Sequence, residues 1–571
     1  MENAQVAAVF DRIADILDLL GENPFRVRSY RTAARTVGDL TERLEDLVEE
    51  EKDLTDLPGI GAGFAEKIHD ILRTGTCETL RDLRDRLPAG LPDLLAVPNL
   101  GPKKVKRLYD ELGIAGLDDL QAAAEDGRIR NLEGMGEKTE ANILQGIRTV
   151  RTEAGRTRLK DAADQVEALG RHLDGAAGID RWQVAGSFRR RRETVGDLDV
   201  LVQTGDRDRA AERILAYKPI DDVMAQGKEK ISVRLAGGMQ VDFRFIEPPA
   251  FGAAQMYFTG SKAHNIRLRK RAQGQGLKLN EYGLFKGKTR KAGETEEEVY
   301  AALDLPLIPP ELREDRGEID AADHGRLPDL LTRDDLRGDL HVHSTATDGA
   351  NSPEELLHAA RQRGYDYLAV TDHSKAVSVA GGLDEEALRR HAEAVREVDA
   401  GEKRFWLLAG VEVDIMKDGR LDLAHDALAD LDWVVASVHS YFAQSEDEMT
   451  DRLLAAVESG VIDCIGHPLG RMLGQRDPVR FDADRVFEAC KDAGVCLEIN
   501  AHPERLDLPD VWCKRAKEAG CTMVVSTDAH KIADLDLIAH GVSVARRGWL
   551  EAGDVLNTQA LTALRKRLKH S

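Results

Sequence analysis

Two aspartates stand two residues apart in GDLDVLV, Asp197 and Asp199. On a strand they emerge on one face, because side chains alternate with a period of two. Adjacent carboxylates repel, and the arrangement is sustained by a divalent cation between them; magnesium binds through carboxylates together with substrate phosphates. Asp242 in VDFRF offers a third carboxylate from another predicted strand. Three such groups can hold two ions, one lowering the pKa of an attacking hydroxyl and one neutralising a leaving pyrophosphate, which is the chemistry of nucleotidyl transfer. A second concentration of chemistry lies in the C-terminal part: His341, His343, Asp348, His373, Glu412, His439, His467, Asp528 and His530 all fall at the ends of apolar strand-like stretches. Imidazole with carboxylate suits zinc, manganese or iron, and nine ligands suffice for two or three ions with positions open to substrate.

A third pattern occurs three times near the N-terminus: LPGIG (57–61), VPNLG (97–101) and LEGMG (132–136). Each leads into a helix-compatible stretch with lysine near its start. Gly59, Gly61, Gly101, Gly134 and Gly136 allow a tight turn between two short helices, and the second helix then offers backbone N–H groups and its positive dipole end to a phosphate, with Lys103 and Lys138 close by. This helix-hairpin-helix pattern grips the phosphate backbone without reading bases.

The elements that must carry these groups change along the chain. Apolar residues recur at three-to-four spacing through the first 150 residues, as in VAAVFDRIADILDLL, and predict helices. From about residue 180, WQVAGSF, DLDVLVQ, ISVRLAG and VDFRFIE predict strands of a sheet. Pro306, Pro309, Pro310 and the charged ELREDRGEIDAADHGR mark a boundary. Beyond it, strands alternate with helices such as PEELLHAARQRG, and ligands at the carboxyl ends of the strands predict a β/α barrel.

At 571 residues several domains are expected. No run of about 18 apolar residues is present and no secretory pattern opens the chain, so a cytoplasmic, nucleoid-associated protein is expected. Six cysteines form no CxxC pair, which predicts neither disulfides nor a cysteine zinc site. The net charge of −22 speaks against nucleic acid at first sight. Its distribution does not: residues 151–300 hold 28 Lys+Arg against 22 Asp+Glu, whereas residues 301–500 hold 21 against 42.

The segments GSFRRRRETVGDLDV and YFTGSKAHNIRLRKRA resemble family X DNA polymerases of the DNA polymerase beta type. The resemblance implies that Asp197, Asp199 and Asp242 hold Mg2+ or Mn2+, with Asp242 also accepting the primer 3′-hydroxyl proton. It implies further that Gly186, Ser187, Arg190 and Gly196 contact the triphosphate of a dNTP, that Tyr257, Phe258 and Gly260 select against ribose, that Asn265 reaches the base edge, and that Arg269 meets the template strand. FRVRSYRTAAR and LPGIGAGFAEKI are similar to the small lyase domain of that family, which aligns Lys67 with its Schiff-base lysine; a plain phosphate contact is the alternative role. Gly63 departs from the pattern, standing where the animal protein has a lysine.

HVHS, TDHS, VHS, GHP and TDAH resemble the polymerase and histidinol phosphatase (PHP) superfamily, whose nine-ligand cluster of two or three Zn2+, Mn2+ or Fe ions is complete here, with Asp348 where some relatives have histidine. The combined order resembles the bacterial family X polymerases, in which the barrel is associated with 3′-to-5′ exonuclease activity. Small-molecule phosphatase and metal-stabilised scaffold remain the alternatives for the barrel. The expected organisation is a helical lyase-like domain (1–80), helix-hairpin-helix fingers (81–150), an α/β nucleotidyltransferase palm (151–248), a nucleotide-selecting thumb (249–318), a linker (319–335) and a distorted PHP barrel (336–571), acting on gapped or primed DNA in repair.

Overall fold

A computed structural model describes the chain except residues 1–2, 39–43, 50–51, 58, 85, 89, 98–99, 133–134, 153–155, 400–403, 443, 474–475, 477 and 569–571. It forms two compact units, Met1–Arg156 and Thr157–Ser571. Among the described residues no helix is long and apolar enough to cross a membrane.

Unit one is helical. Asn3–Leu19, Pro24–Gly38, Leu44–Glu49, Ala62–Thr74 and Glu78–Arg84 share a core in which the Phe64 ring meets Phe10 and Tyr30 edge-on, centroids 5.5 and 4.9 Å apart. A second core, including Leu94, Val105, Leu108, Leu120 and Ile143, lies among Pro102–Leu112, Leu117–Glu125 and Glu137–Thr152. The described residues of the three glycine motifs share one backbone contact. Leu57, Val97 and Leu132 each accept a backbone bond of 3.0 Å from the residue three positions on, and those residues, Ile60, Leu100 and Met135, are buried. Gly61 and Gly101 then start the following helices in extended conformation, so no side-chain oxygen claims the first N–H groups. The buried aliphatic side chain fixes the turn, and the bare glycine leaves the helix start approachable.

In unit two the short strand Thr157–Arg158, paired with Thr194–Val195, and the helix Leu159–Leu173 precede a five-stranded sheet: β1 (Arg181–Val184), β2 (Asp197–Gln203), β3 (Ile220–Gln226), β4 (Lys230–Leu235) and β5 (Gln240–Ile246), in the order β1-β2-β5-β4-β3. Only β2 and β5 run parallel, and their register sets Asp199 opposite Asp242. Leu198, Val200 and Val202 of β2 and Val241 and Phe243 of β5 enter one core, which forces the aspartates between them to the other face. Helices Phe251–Thr259 and Lys262–Gly274 and the antiparallel strands β6 (Lys278–Asn280), β7 (Gly283–Lys286) and β8 (Thr289–Ala292) follow. The segment 319–335, expected as a linker, is packed: Ile319, Ala322 and Leu330 join the core of the preceding part, Leu331 joins that of the barrel, and Leu330 bridges to Glu551.

The C-terminal part holds a sheet of seven strands, all parallel and neighbouring one another in chain order: β9 (Gly338–Val342), β10 (Tyr367–Val370), β11 (Trp406–Asp414), β12 (Trp433–Ser437), β13 (Cys464–Ile465), β14 (Cys496–Asn500) and β15 (Met523–Ser526). The sheet nearly closes on itself. At the carboxyl end His343 N–H donates to the Ala529 carbonyl at 2.9 Å and Asp528 N–H to that of His341 at 3.0 Å. Lower down the buried Asn557 amide fills the gap, donating to the Gly338 and Val525 carbonyls at 2.7 and 2.8 Å and accepting from Val525 N–H at 3.1 Å.

The first hairpin turn gives a test with two signs. Gly59 has φ +81°, and an added Cβ would lie 2.8 Å from the Thr32 methyl; Gly63, inside the next helix, has open space there. Gly59→Ala should destabilise unit one by about 1–2 kcal/mol, the cost of a left-handed L-residue, whereas Gly63→Ala should stabilise it by about 0.5–1 kcal/mol. Hydrogen exchange of peptides spanning 57–74 reads both changes.

Candidate functional site

The β2–β5 pair presents its carboxylates to cationic side chains. Arg244 Nε donates to Asp199 Oδ1 at 3.1 Å and its Nη2 reaches Asp242 Oδ2 at 3.5 Å, while Lys230 Nζ lies 2.9 Å from the same Asp242 oxygen. The Arg244 guanidinium is held in plane by stacking 4.2 Å over the Phe258 ring. Burial raises the Asp199 carboxyl above its ordinary value, opposed by Arg244 and reinforced by Asp197. Burial alone would raise Asp242 too, but hydrogen bonds from Ser232, Lys230 and Gln240 bring it below.

The one-turn helix Gly186–Arg189 abuts this face. Gly186 has φ +64°, and a Cβ there would sit 3.1 Å from Asp199 Oδ2. Ser187 lies within that turn, and Gly196 directly precedes β2. Arg190 is engaged within the protein, through Nε to Glu314 Oε1 at 3.0 Å and through Nη1 to the Thr259 carbonyl. Arg189, absent from the sequence reading, makes a paired contact with Glu296 at 2.9 and 2.6 Å. Tyr257 and Phe258 pack edge to face at 5.2 Å, Gly260 adopts φ +72° beside Arg190, and the buried Asn265 donates to the Tyr257 carbonyl at 2.7 Å. Arg269 is half-buried on the helix Lys262–Gly274.

Among the described residues, donor sets converging to within 4.8 Å occur at the barrel rim: His343, Asp348, His373 and His530; His341, His343 and Asp528; His373, Glu412 and His439. Eight of the nine expected ligands therefore come together, and the ninth, His467, places Nε2 2.9 Å from Glu412 Oε1. Glu412 Oε2 faces His373 Nδ1 at 3.0 Å, His341 Nε2 at 3.5 Å and His343 Nε2 at 3.7 Å. His341 Nε2, both ring nitrogens of His343, and Glu412 Oε2 are buried without a hydrogen-bond partner. Such orphaned donors, all of ligating type and aimed at one another, fit divalent cations. His467 and Asp528 also hold φ of +26° and +55°, strain of the kind found where a side chain must be aimed.

A supporting layer of carboxylates fixes the expected ligands. Glu498 accepts from His341 Nδ1 at 2.7 Å and from His467 N–H at 2.6 Å. Asp372 accepts from Ser344 Oγ at 2.6 Å and pairs with His391 Nε2 at 2.9 Å, which anchors the loop after β9. Asn500 donates to Asp528 Oδ2 at 3.1 Å. These partners set imidazole tautomer and orientation. Sequence reasoning missed Glu498 and Asp372, although both stand beside recognised motifs, in CLEIN and TDHS.

Four family models match the chain: a helix-hairpin-helix domain at residues 1–77, a SAM-like helix-hairpin-helix tandem at 91–149, the DNA polymerase beta thumb at 254–314, and the PHP domain at 339–502. The DNA polymerase/3′-5′ exonuclease PolX of Bacillus subtilis (strain 168) is 37% identical over 578 aligned residues, covering 100% of each chain. The chain belongs to the PolX family. Probable phosphatases are similar over a shorter stretch: one from Thermoanaerobacter sp. (strain X514) is 28% identical over 38% of this PolX-family chain and 89% of its own length, and one from Shewanella sp. (strain MR-4) is 29% identical over 34% and 75%.

In unit one of this PolX-family chain Lys67 is half-buried on Ala62–Thr74 and donates from Nζ to the Gly63 carbonyl at 3.0 Å. Lys103 is exposed in the first turn of Pro102–Leu112, and Gly136 directly precedes Glu137–Thr152. Gly134 and the Lys138 side chain lie outside the described residues.

The rim's charge state generates a prediction. Burial would lower His373, His439 and His530, but Glu412 with Asp348, Glu412 with Asp414, and Asp348 with Asp528 push them up to about 10, 9 and 8. Without a cation these rings are charged at pH 7, and their ion pairs stabilise the fold fully below the ordinary value of 6.5 and less as pH rises through 8 to 10. Cation ligation requires neutral imidazole, so uptake expels protons. Manganese titrated calorimetrically at pH 7 in two buffers of different ionisation enthalpy should give buffer-dependent heats corresponding to net proton release, with tighter binding at pH 8 than at pH 6.5. Buffer-independent heats would contradict this.

Proposed function

We propose that the chain is a DNA-directed DNA polymerase that fills gaps during DNA repair at the nucleoid, with a metal-dependent 3′-to-5′ exonuclease in its barrel. The observation that carries the reading is the in-register pairing of Asp199 with Asp242 beside the Gly186–Arg190 turn, within a chain similar from end to end to a polymerase/exonuclease. Divalent cations held by Asp197, Asp199 and Asp242 would supply Lewis-acid charge for nucleotidyl transfer, and those at the rim would do so for phosphodiester hydrolysis. Mg2+ or Mn2+ suits the first set and Zn2+, Mn2+ or Fe the imidazole-rich second.

The protein's own groups have distinct tasks. Backbone N–H groups of the Gly186 turn, the Ser187 hydroxyl and the Arg190 guanidinium bind the dNTP triphosphate, because each donates to anionic oxygen. Asp242, held below the ordinary carboxylate range, is ionised at neutral pH and accepts the primer hydroxyl proton. Tyr257, Phe258 and Gly260 face the incoming sugar, Asn265 the base, and Arg269 the template. The three hairpins hold backbone phosphates without base specificity, which suits an enzyme that must act at any gap.

Extension and degradation of a 3′-recessed labelled primer, with and without dNTPs at equal manganese, test the reading. Asp199→Ala should reduce extension by at least about 100-fold and leave degradation intact, while His341→Ala should reduce degradation by at least about 100-fold, since supporting-layer changes alone cost 10–100-fold. Equal degradation by wild type and His341→Ala would remove the exonuclease assignment. Hydrolysis of phosphate monoesters with intact DNA would favour the phosphatase reading, which the similarity to probable phosphatases supports.

We propose further that Lys67 forms a Schiff base with a 5′-deoxyribose phosphate end. Borohydride should trap wild type on such DNA and fail with Lys67→Ala; undiminished trapping of the variant would place the nucleophile elsewhere, leaving Lys67 a phosphate contact.

A further inference from the structure

The segment that carries Arg190 is gripped from the barrel. Arg547, the last residue of the barrel helix Ile538–Arg547, is 4% exposed, and its Nη1 donates to the Arg190 carbonyl at 2.7 Å and to Glu314 Oε1 at 3.0 Å, while Nη2 donates to Asp510 Oδ2 at 2.6 Å. Glu314 is the carboxylate that accepts from Arg190 Nε, and Asp510 also pairs with Arg316 at 2.9 Å. Three residues along, Glu193 is held by the barrel's Arg471 at 2.7 Å. Barrel side chains thus fasten both the turn that follows Ser187 and the strip 314–316 against which Arg190 lies.

This arrangement fixes the pose of Arg190. A lone Glu314 would offset the positive charge of Arg190, but Glu314 is shared among Arg190, Arg547 and, at 3.9 Å, Arg192, so the cluster keeps positive charge for an anionic ligand. With Nε on Glu314 and Nη1 on the Thr259 carbonyl, the Arg190 plane is fixed before any ligand arrives, and a preorganised fork loses less entropy on meeting a phosphate.

We propose that Arg547, a residue of the barrel, is a positioning residue for the polymerase site: it holds Arg190 in the pose that binds the dNTP triphosphate. The inference rests on the assignment of Arg190 to the triphosphate. It makes the barrel a structural part of the nucleotide pocket, independent of any hydrolysis at the rim.

The test is single-nucleotide gap filling by the full chain with dNTP varied and with pyrophosphate as product inhibitor, because pyrophosphate reports on the triphosphate subsite alone. Arg547→Met strands no buried carboxylate, because Asp510 keeps Arg316 and Glu314 keeps Arg190. The expected result is a KM for dNTP raised about tenfold, the effect of one misplaced charge-assisted hydrogen bond, with the pyrophosphate inhibition constant raised in parallel. kcat and exonuclease activity should stay within about twofold, below the scale of a lost hydrogen bond. Arg547→Lys, which keeps charge beside Glu314 but cannot span three acceptors, should recover part of the KM. Unchanged KM and pyrophosphate inhibition would overturn the proposal, as would a joint fall of kcat and exonuclease activity at constant KM, which marks a residue needed only for folding. Absence of extension by wild type would instead overturn the polymerase reading on which the inference stands.

Discussion

Asp199 faces Asp242 across a parallel strand pair, and Glu412 lies within 3.7 Å of five imidazoles in a buried rim. Both are the same electrostatic problem. Carboxylates drawn out of water by packing need positive charge close by, and at neither place does the surrounding core supply it. In the sheet the balance comes from Arg244 and Lys230, and at the rim from imidazoles that take up protons. Long side chains and protonated rings are exchangeable counterions, and groups held this way can release them to a divalent cation. The fold of unit two is the apparatus that keeps those carboxylates together despite their repulsion.

Each centre is built from the period of its strands. The alternation Leu198, Val200, Val202 sends two aspartates to one face, and the parallel register adds the third carboxylate. In the barrel, strand ends rather than strand faces carry the ligands, and near-closure between β9 and β15 brings His341 and His343 against Asp528. The Asn557 amide substitutes for main-chain pairing where the two strands separate, so closure is secured below while the rim stays open to ligating side chains.

Much of this was readable in the sequence wherever chemistry and spacing coincide. In LPGIG, VPNLG and LEGMG alike, the first residue accepts a backbone bond from a buried residue three positions on, a contact encoded locally by that buried side chain. The convergence of the nine expected ligands was readable because histidine at successive strand ends is rare by chance. What escaped was encoded at long range. Glu498 reads as one more polar residue in CLEIN, and its role comes from lying beside His341, 157 residues away. Arg547 and Glu314 are 233 residues apart, and nothing in either neighbourhood announces the other. Arg244 stands in VDFRF only as a strand arginine until Phe258 supplies a surface for it to stack on. The segment 319–335 looked like a connection because it is charged, yet its few apolar residues are the ones that pack.

One chain brings together two separate sets of groups suited to divalent cations, one of carboxylates and one dominated by imidazole. Crystals equilibrated with manganese, measured at the metal's absorption edge, test this most directly. Anomalous peaks are expected in two places, one against Asp197, Asp199 and Asp242 and one or more at the barrel rim beside Glu412. A rim peak with nothing at the aspartates in the presence of DNA and nucleotide, or aspartate peaks with an empty rim, would contradict it.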